Sequence, residues 1–227
     1  MTSTLEDEAE RTSPERAEAP ARTPFWRRPW IVPLAVAVVF YTYTAAEPFV
    51  GVPEAQAPLQ PHPGFGLYYP LLMVHIGAGT VAMLTMVPQV WPWLHRHHPK
   101  VHRVTGQVYL LAVLVAGSAA LVVVWWAPQP GKVGALCLTV FWLATTAAGY
   151  WTGRREDYEK HRRYMLYSFA IAASNMGGAY GLMVLELLGI SVDPAYFGEA
   201  ARWIPWVGDL MLVQWWLHRT ARRPVRG

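Results

Sequence analysis

The chain has 227 residues, of which 53% are hydrophobic and only 15% are charged, with one cysteine, 12 tryptophans and a formal net charge of +4. Soluble globular proteins average about 25% charged residues, and small disulfide scaffolds are rich in cysteine. The composition therefore excludes a disordered protein and a disulfide scaffold, and it argues against an ordinary soluble enzyme.

The first 25 residues are polar, dense in charges and rich in proline and alanine. Such a segment contains too little apolar surface to offset the entropy of ordering it, so residues 1–25 are predicted to form a disordered tail. A cleavable signal peptide ending near Thr44 to Ala46 is the alternative. A retained first helix is favoured, because the charged stretch before the first apolar run is long for a signal peptide.

Six apolar segments follow, and each is nearly free of charge. A helix needs about 20 apolar residues to cross a bilayer, whose hydrocarbon is about 30 Å thick. The segments lie between residues 28 and 47, 64 and 94, 103 and 132, 132 and 154, 163 and 186, and 203 and 218. The sequence therefore predicts an all-α integral membrane bundle with six transmembrane helices. One domain covers residues 26–219, and residues 220–227 form a basic tail.

Basic residues gather on one side of this predicted bundle. Of the 19 Lys and Arg residues, only Lys132 and Arg202 fall in connections on the other side. Because Lys and Arg are retained in the cytoplasm, both termini are predicted to be cytoplasmic. Most tryptophans lie near segment ends, as expected for headgroup anchors. The net charge reflects this asymmetry, so the predicted partner is the lipid bilayer and not a nucleic acid.

A histidine and a glutamine mark the second segment. His75 lies in its outer half with no charged neighbour in sequence, and an ionisable group at membrane depth needs a partner. Four interpretations stay open: a neutral histidine bonded to a neighbouring helix, a haem ligand, a quinone hydrogen-bond partner and a proton relay. Gln89 follows 14 residues later, close to four helical turns, so it shares the face of His75 at the cytoplasmic end.

A histidine-rich connection joins the second and third segments. It contains His95, His97, His98 and His102. A single box of this kind is too little for a di-iron desaturase, which leaves a surface zinc or copper site or a solvated loop as the alternatives. His102 stands out because Tyr109 follows seven residues later on the same helix face.

His161 opens the fifth segment as His102 opens the third, so both are expected at one depth near the cytoplasmic headgroups. His75 is about 27 Å away along the helix axis and cannot share an iron with them. Asn175 and Asp209 come towards the level of His75. A contact of His75 with either residue would satisfy both partners, and Asp209 with His75 is a candidate proton relay.

Two linked motifs carry a family resemblance. The segment LHRHHPKVHRVTGQVYL at residues 94–110 contains HRxxGxxY, and HRRYM follows at residues 161–165. Together with His75 and Gln89 they resemble DUF2306, a family of bacterial multi-pass membrane proteins of unknown function. The resemblance covers residues 65–190 and implies a location in the bacterial cytoplasmic membrane.

A weaker similarity concerns the four-helix layout with histidines at helix ends. It is similar to the two-haem cytochromes b and ferric reductases, whose haems are held by histidines from two helices on each side of the membrane. This similarity implies an inner pair of His102 and His161. On the outer side, only His62 is available to accompany His75.

The leading functional prediction is a redox-associated module that binds a b-type haem or a quinone between the second and fifth segments. The candidate cofactor-binding residues are His75, His102, His161, Gln89, Tyr109 and Asn175. The alternatives are a small proton-coupled transporter and a non-catalytic membrane assembly subunit. The pattern identifies no catalytic residue, and a redox protein or a second copy of the chain are the partner hypotheses.

Overall fold

The structure is a computed structural model that describes residues 30–53, 56, 64–126 and 130–221. The predicted tail over residues 1–25 and His62 lie outside these ranges. Of the predicted basic tail over residues 220–227, only residues 220 and 221 are described, and they end the last helix. Within the described ranges the fold is all helical, without a strand. The α-helices are α1 Ile31–Ala46, α2 Tyr68–Gln89, α3 Pro92–His97, α4 Pro99–Val123, α5 Lys132–Arg154, α6 Tyr158–Leu187 and α7 Pro194–Ala221, with 3-10 turns at Glu47–Phe49 and Val124–Trp126.

Five of these helices are long and apolar enough to cross a membrane. They are α1 with its 3-10 turn, α2, α4 with its 3-10 turn, α5 and α6. They correspond to the first five predicted segments. The prediction of an all-helical membrane bundle is therefore confirmed at this level.

The sixth predicted span falls in α7, which is not one of the five apolar helices. Its 28 residues are long enough to cross a bilayer. However, Glu199, Arg202 and Asp209 lie along it and lower its hydropathy. The helix also begins earlier than predicted, at Pro194 and not near residue 203. The structure thus shows a sixth long helix without showing a sixth span.

Proline and aspartate set where several helices begin. α3 and α4 each start with a proline, whose fixed φ and missing N–H suit the first helical position. Asp157 caps α6, because its carboxylate accepts a hydrogen bond from the Lys160 backbone N–H at 3.2 Å and pairs with Lys160 Nζ at 2.7 Å. These bonds hold the pKa of the Asp157 carboxyl below its ordinary value.

Four helices, α2, α4, α5 and α6, form the core of the bundle. α2 packs along α4, α4 along α5, and α5 along α6, while α1 and α7 lie on the outside against α2 and α6 respectively. Small residues allow the close approach. At Gly117, for example, an added Cβ would lie 2.6 Å from Leu143 Cδ2. The buried interior is filled by Ala82, Met83, Met86, Tyr109, Val113, Ala116, Trp142, Phe169, Ile171 and Ala172.

The outer faces of the helices are also apolar. Val36 on α1, Leu111 on α4 and Val133 on α5 are each more than 60% exposed. In water such faces would be costly, but in a bilayer they contact lipid chains at no such cost. The helices are therefore hydrophobic all round, as expected for a membrane protein.

Two glycines seat α7 against the start of α5. Gly131 has φ of +104° and, with a Cβ, would contact the Gly198 carbonyl oxygen at 3.0 Å. An added Cβ at Gly134 would lie 2.9 Å from the Arg202 carbonyl oxygen. Because both obstacles include backbone atoms of α7, neither contact relaxes through a side-chain rotation.

Replacement of Gly134 by alanine tests this seat. We expect Gly134→Ala to push α7 away from α5 and to cost about 1–3 kcal/mol, as overpacking does. The matched control is Gly79→Ala on α2, where an added Cβ meets nothing within 4 Å and gains only helix propensity. Thermal unfolding of the detergent-purified variants measures the difference. Equal melting temperatures for the two variants would contradict the seat.

Candidate functional site

A buried chain of hydrogen bonds crosses the core from α4 to α6. The Tyr109 side chain is fully buried, and its hydroxyl lies 2.6 Å from Ser168 Oγ and 3.2 Å from Trp142 Nε1. Ser168 Oγ lies 2.6 Å from Thr146 Oγ1. Thr146 in turn donates to the Trp142 carbonyl oxygen at 2.7 Å.

The direction of every bond in this chain is fixed by its two ends. The Trp142 indole N–H only donates, so the Tyr109 oxygen accepts from it. The Trp142 carbonyl only accepts, so Thr146 donates to it and accepts from Ser168. Ser168 then accepts from Tyr109. The bonds form a closed hydrogen-bond ring that starts and ends at Trp142, and each hydroxyl in it both donates and accepts.

This hydrogen-bond ring fixes the position of α4 relative to α6. A polar group left without a partner in hydrocarbon costs free energy. The four side chains of the ring find their partners only if α4, α5 and α6 keep their registers, so this cost opposes any shift of one helix along another. Phe169 adds an edge-to-face contact with the Tyr109 ring at 4.9 Å. The register of the diagonal pair α4 and α6 is therefore set by Tyr109 and Ser168.

His102 and His161 lie seven residues before Tyr109 and Ser168 respectively. Seven residues are about two helical turns, so His102 lies on the same helix face as Tyr109, and His161 lies on the same helix face as Ser168. α4 and α6 run in the same direction, which places both imidazoles about 10.5 Å from the hydrogen-bond ring, at the same end of the bundle. A charge on the His161 ring would act on the His102 ring. We refer to His102 and His161 as the histidine pair.

His161 is seated against α5. Its Nδ1 lies 2.7 Å from the Gly149 carbonyl oxygen. A carbonyl oxygen accepts only, so Nδ1 carries the hydrogen and Nε2 carries the lone pair of the neutral ring. An added Cβ at Gly153 would lie 2.7 Å from the same Nδ1. Gly153 therefore leaves the space that the imidazole occupies, whereas the space beside Gly149 is filled by Met165.

His102 has a different environment. Its Nδ1 is buried and has no hydrogen-bond partner among the described residues. Gln89 holds the backbone at this point, since Gln89 Nε2 donates to the His102 carbonyl oxygen at 2.9 Å and also to Thr105 Oγ1. Gly106 makes room for the Gln89 amide, whose Oε1 would lie 3.3 Å from an added Cβ. A buried polar atom without a protein partner calls for a partner from outside the protein, such as a water or a ligand atom.

The remaining histidines of the connection divide into two groups. His95 lies against His102, with ring centroids 5.8 Å apart. Partial burial and the neighbouring Arg96 guanidinium lower the pKa of His95. His97 and His98 instead pack around Trp93, at 5.1 and 5.0 Å. In the part of the chain that the structure describes, no group of three or more His, Cys, Asp or Glu side chains is placed to hold a metal ion.

His75 forms a separate polar contact in the other half of the bundle. Its Nδ1–H donates to the Ala116 carbonyl oxygen on α4 at 2.9 Å. Ala116 is 14 residues beyond His102 on that helix, about 21 Å along its axis. Met83 and Met86, which follow His75 on α2 by about two and three turns, belong to the buried core. His75 therefore does not belong to the histidine pair.

Asn175 and Asp209 make no hydrogen bond with His75. The Asn175 amide donates to the Ala172 carbonyl oxygen of its own helix at 3.1 Å. Asp209 is partly buried, and its carboxylate makes no hydrogen bond with any described side chain. The hydrogen bonds of these residues thus do not join them into the predicted outer relay.

Sequence reasoning did not identify Trp142, Thr146 and Ser168 as site residues. Trp142 is the one tryptophan in the middle of a segment, away from the headgroups, and Thr146 follows it by one helical turn. Ser168 follows His161 with the spacing that separates Tyr109 from His102. These spacings were visible in the sequence, but no pattern in it showed that the three side chains meet.

Comparison with known families identifies the chain. The family described as "Predicted membrane protein (DUF2306)" matches residues 72–217, which is more than half of the chain. The chain belongs to this family, and the match reaches into α7 as far as residue 217, beyond the residues 65–190 that the motifs indicated. No curated protein and no solved structure matches the chain. The weaker similarity to two-haem cytochromes b receives no support from these comparisons.

Replacement of Tyr109 by phenylalanine tests the hydrogen-bond ring. Tyr109→Phe removes the acceptor of the Trp142 N–H and the donor to Ser168 while keeping the aromatic volume. We expect a loss of about 1–2 kcal/mol in stability, measured by unfolding of the detergent-purified protein. The control is Tyr150→Phe on α5, whose side chain is exposed. If both variants were as stable as the parent, the ring would not hold the helices together.

Proposed function

We propose that this member of the DUF2306 family is a redox-associated membrane module that holds a b-type haem between His102 and His161, with a quinone as the alternative occupant of the same place. The observation that carries the proposal is the histidine pair itself. Two imidazoles from diagonally related helices lie at one level, beside a buried hydrogen-bond ring that fixes the helices. Bundle proteins build cofactor sites from side chains on facing helices.

The donor chemistry of the pair fits axial ligation of haem iron. The Nδ1–H of His161 bonds to a backbone carbonyl, the arrangement that orients a metal-ligating histidine and makes Nε2 its ligand atom. His102 contributes a buried nitrogen that no described residue satisfies. The lowered pKa of the neighbouring His95 favours its neutral form, so His95 adds no strong repulsion towards a bound iron. A bound haem would supply one-electron chemistry, with a potential set by its ligands and burial.

A quinone would use the same nitrogen atoms differently. Its carbonyl oxygens accept hydrogen bonds, and His102 and Gln89 carry donors at this end of the bundle. Gln89 already donates to α4, and the His161 Nδ1–H donates to the Gly149 carbonyl oxygen. His102 is therefore the principal donor to a quinone carbonyl, whereas His161 Nε2 can accept a hydrogen bond from a hydroxyl of the reduced quinol. Both occupants require His102 and His161, and an absorption spectrum separates them.

The proposed setting is the cytoplasmic membrane of a bacterium, with α7 as the sixth span and both termini in the cytoplasm. The basic residues support this orientation, because they lie at the end of the bundle that holds the histidine pair. We call this the basic end, and it is marked by Arg96, Lys100, Arg103, Arg154 and Arg163. The histidine pair would then face the cytoplasmic leaflet.

The test is an absorption and quinone analysis of the chain expressed with haem supplementation. We expect a Soret band in the parent protein, reduced at least about tenfold in His102→Ala and in His161→Ala. The matched control is His97→Ala, since the His97 ring packs against Trp93 and not against the pair. Extraction of a quinone without a Soret band, lost in the same two variants, would assign the alternative occupant.

Folded protein that carried neither haem nor quinone would contradict the proposal. Size-exclusion profiles of the variants separate this outcome from misfolding. Equal loss of folded protein for His102→Ala and His161→Ala, with neither occupant in the parent, would instead indicate histidines that only anchor helix ends, as in an assembly subunit.

The orientation has its own test. In a Cys137→Ala background, single cysteines at Lys100 and at Glu159 are expected to react with a membrane-impermeant maleimide only after the cells are permeabilised. A cysteine at Val50, which is exposed just after the 3-10 turn at the opposite end, is expected to react in intact cells. The reverse labelling pattern would overturn the proposed topology.

A further inference from the structure

A two-part cleft runs between α6 and α7 at the basic end, and its lining does not include His161, whose imidazole bonds to α5. One part has a volume of about 450 Å³ and a polar lining that includes Lys160, Arg162, Arg163 and His218. The other has a volume of about 620 Å³. Both volumes fall in the usual range of ligand pockets.

The second part is lined mainly by apolar side chains. It includes Phe141 of α5 and Leu210, Met211 and Trp215 of α7. The two parts share Gln214 and His218 as lining residues, so they adjoin. The cleft is therefore amphipathic, with its polar part at the helix ends and its apolar part deeper along the bundle.

The charges in the polar part are incompletely neutralised. Lys160 is paired with Asp157, but the structure places no carboxylate within salt-bridge distance of Arg162 or Arg163 among the described residues. Glu159 is the one acidic residue in the lining. The polar part therefore presents two guanidinium groups without an anionic partner, and guanidinium groups bind phosphate well.

Neighbouring side chains hold both guanidinium groups in place. The Arg162 guanidinium lies over the Trp216 ring, 5.1 Å from its centroid. Arg163 Nε donates to the Tyr167 hydroxyl at 3.3 Å, and that hydroxyl donates to Gln214 Oε1. Tyr167 and Gln214 thus form the border between the polar and apolar parts. These contacts leave the terminal nitrogens of Arg163 without a hydrogen-bond partner among the described residues.

We propose that this cleft binds an anionic phospholipid, with the headgroup phosphate at Arg162 and Arg163 and an acyl chain against Phe141, Leu210 and Met211. Charge complementarity selects the occupant, because unpaired cations at the level of the headgroups attract anionic lipids. The adjoining apolar part distinguishes a lipid from a free phosphate ion, which would leave that part empty. This site is independent of the haem or quinone proposed at the histidine pair.

Native mass spectrometry of the detergent-purified chain, titrated with phosphatidylglycerol and with phosphatidylcholine, tests the proposal. We expect phosphatidylglycerol to bind at least about tenfold more tightly, as two basic contacts predict. The double variant Arg162→Gln with Arg163→Gln should remove this preference. The matched control is Arg154→Gln with Arg155→Gln, which removes two charges at the same end, including one guanidinium that also lies over a tryptophan.

A second measurement separates a lipid from its headgroup alone. Thr145 lines the apolar part, so Thr145→Trp should weaken phosphatidylglycerol binding by partly filling it. Inorganic phosphate at the same concentration should give no thermal stabilisation of the parent protein. Equal binding of the two lipids by the parent would overturn the proposal without reference to any variant. Stabilisation by phosphate as strong as that by lipid would also overturn it.

Discussion

The structure depends on one constraint, which is that a hydroxyl buried among membrane helices must both donate and accept. Tyr109, Ser168 and Thr146 meet this requirement by bonding in sequence, and Trp142 closes the ring with its indole N–H at one end and its carbonyl at the other. Lipid supplies no competing partner, so the ring forms only in one register of α4, α5 and α6. The hydrophobic effect does not favour this register over others, because the lipid-facing and buried surfaces of the helices are both apolar.

The register then determines what lies two turns away. With Tyr109 opposite Ser168, the residues seven positions earlier are also opposite, and both are histidines. Glycines of α5 seat His161, and Gln89 of α2 holds the start of α4 beneath His102. All four core helices therefore contribute to the surroundings of the pair. The two imidazoles that would contact a cofactor therefore lie on helices, which hold side chains in place more rigidly than a loop does.

The sequence predicted the features that follow from composition and from spacing along one helix. It indicated the all-helical membrane bundle, five of its spans and the family. The common depth of His102 and His161 followed from their similar positions at helix starts. It did not predict the partner of His75, because the choice among Ala116, Asn175 and Asp209 depends on how helices rotate about their axes. The same rotation decides whether Ser168 meets Tyr109. For α7, charge spacing predicted a sixth span that the hydropathy of the helix does not confirm, and no pattern in the sequence showed that Gly131 and Gly134 seat this helix against α5.

Cysteine cross-linking measures the position of the histidine pair most directly. In a Cys137→Ala background, the pair His102→Cys with His161→Cys should be joined by a short bis-maleimide in membranes. The pair His75→Cys with His161→Cys should not, because His75 lies near the opposite end of the bundle. Cross-linking of the first pair alone is the result that the account predicts. No cross-link in the first pair, or equal cross-linking of both, would contradict the register on which the cofactor proposal depends.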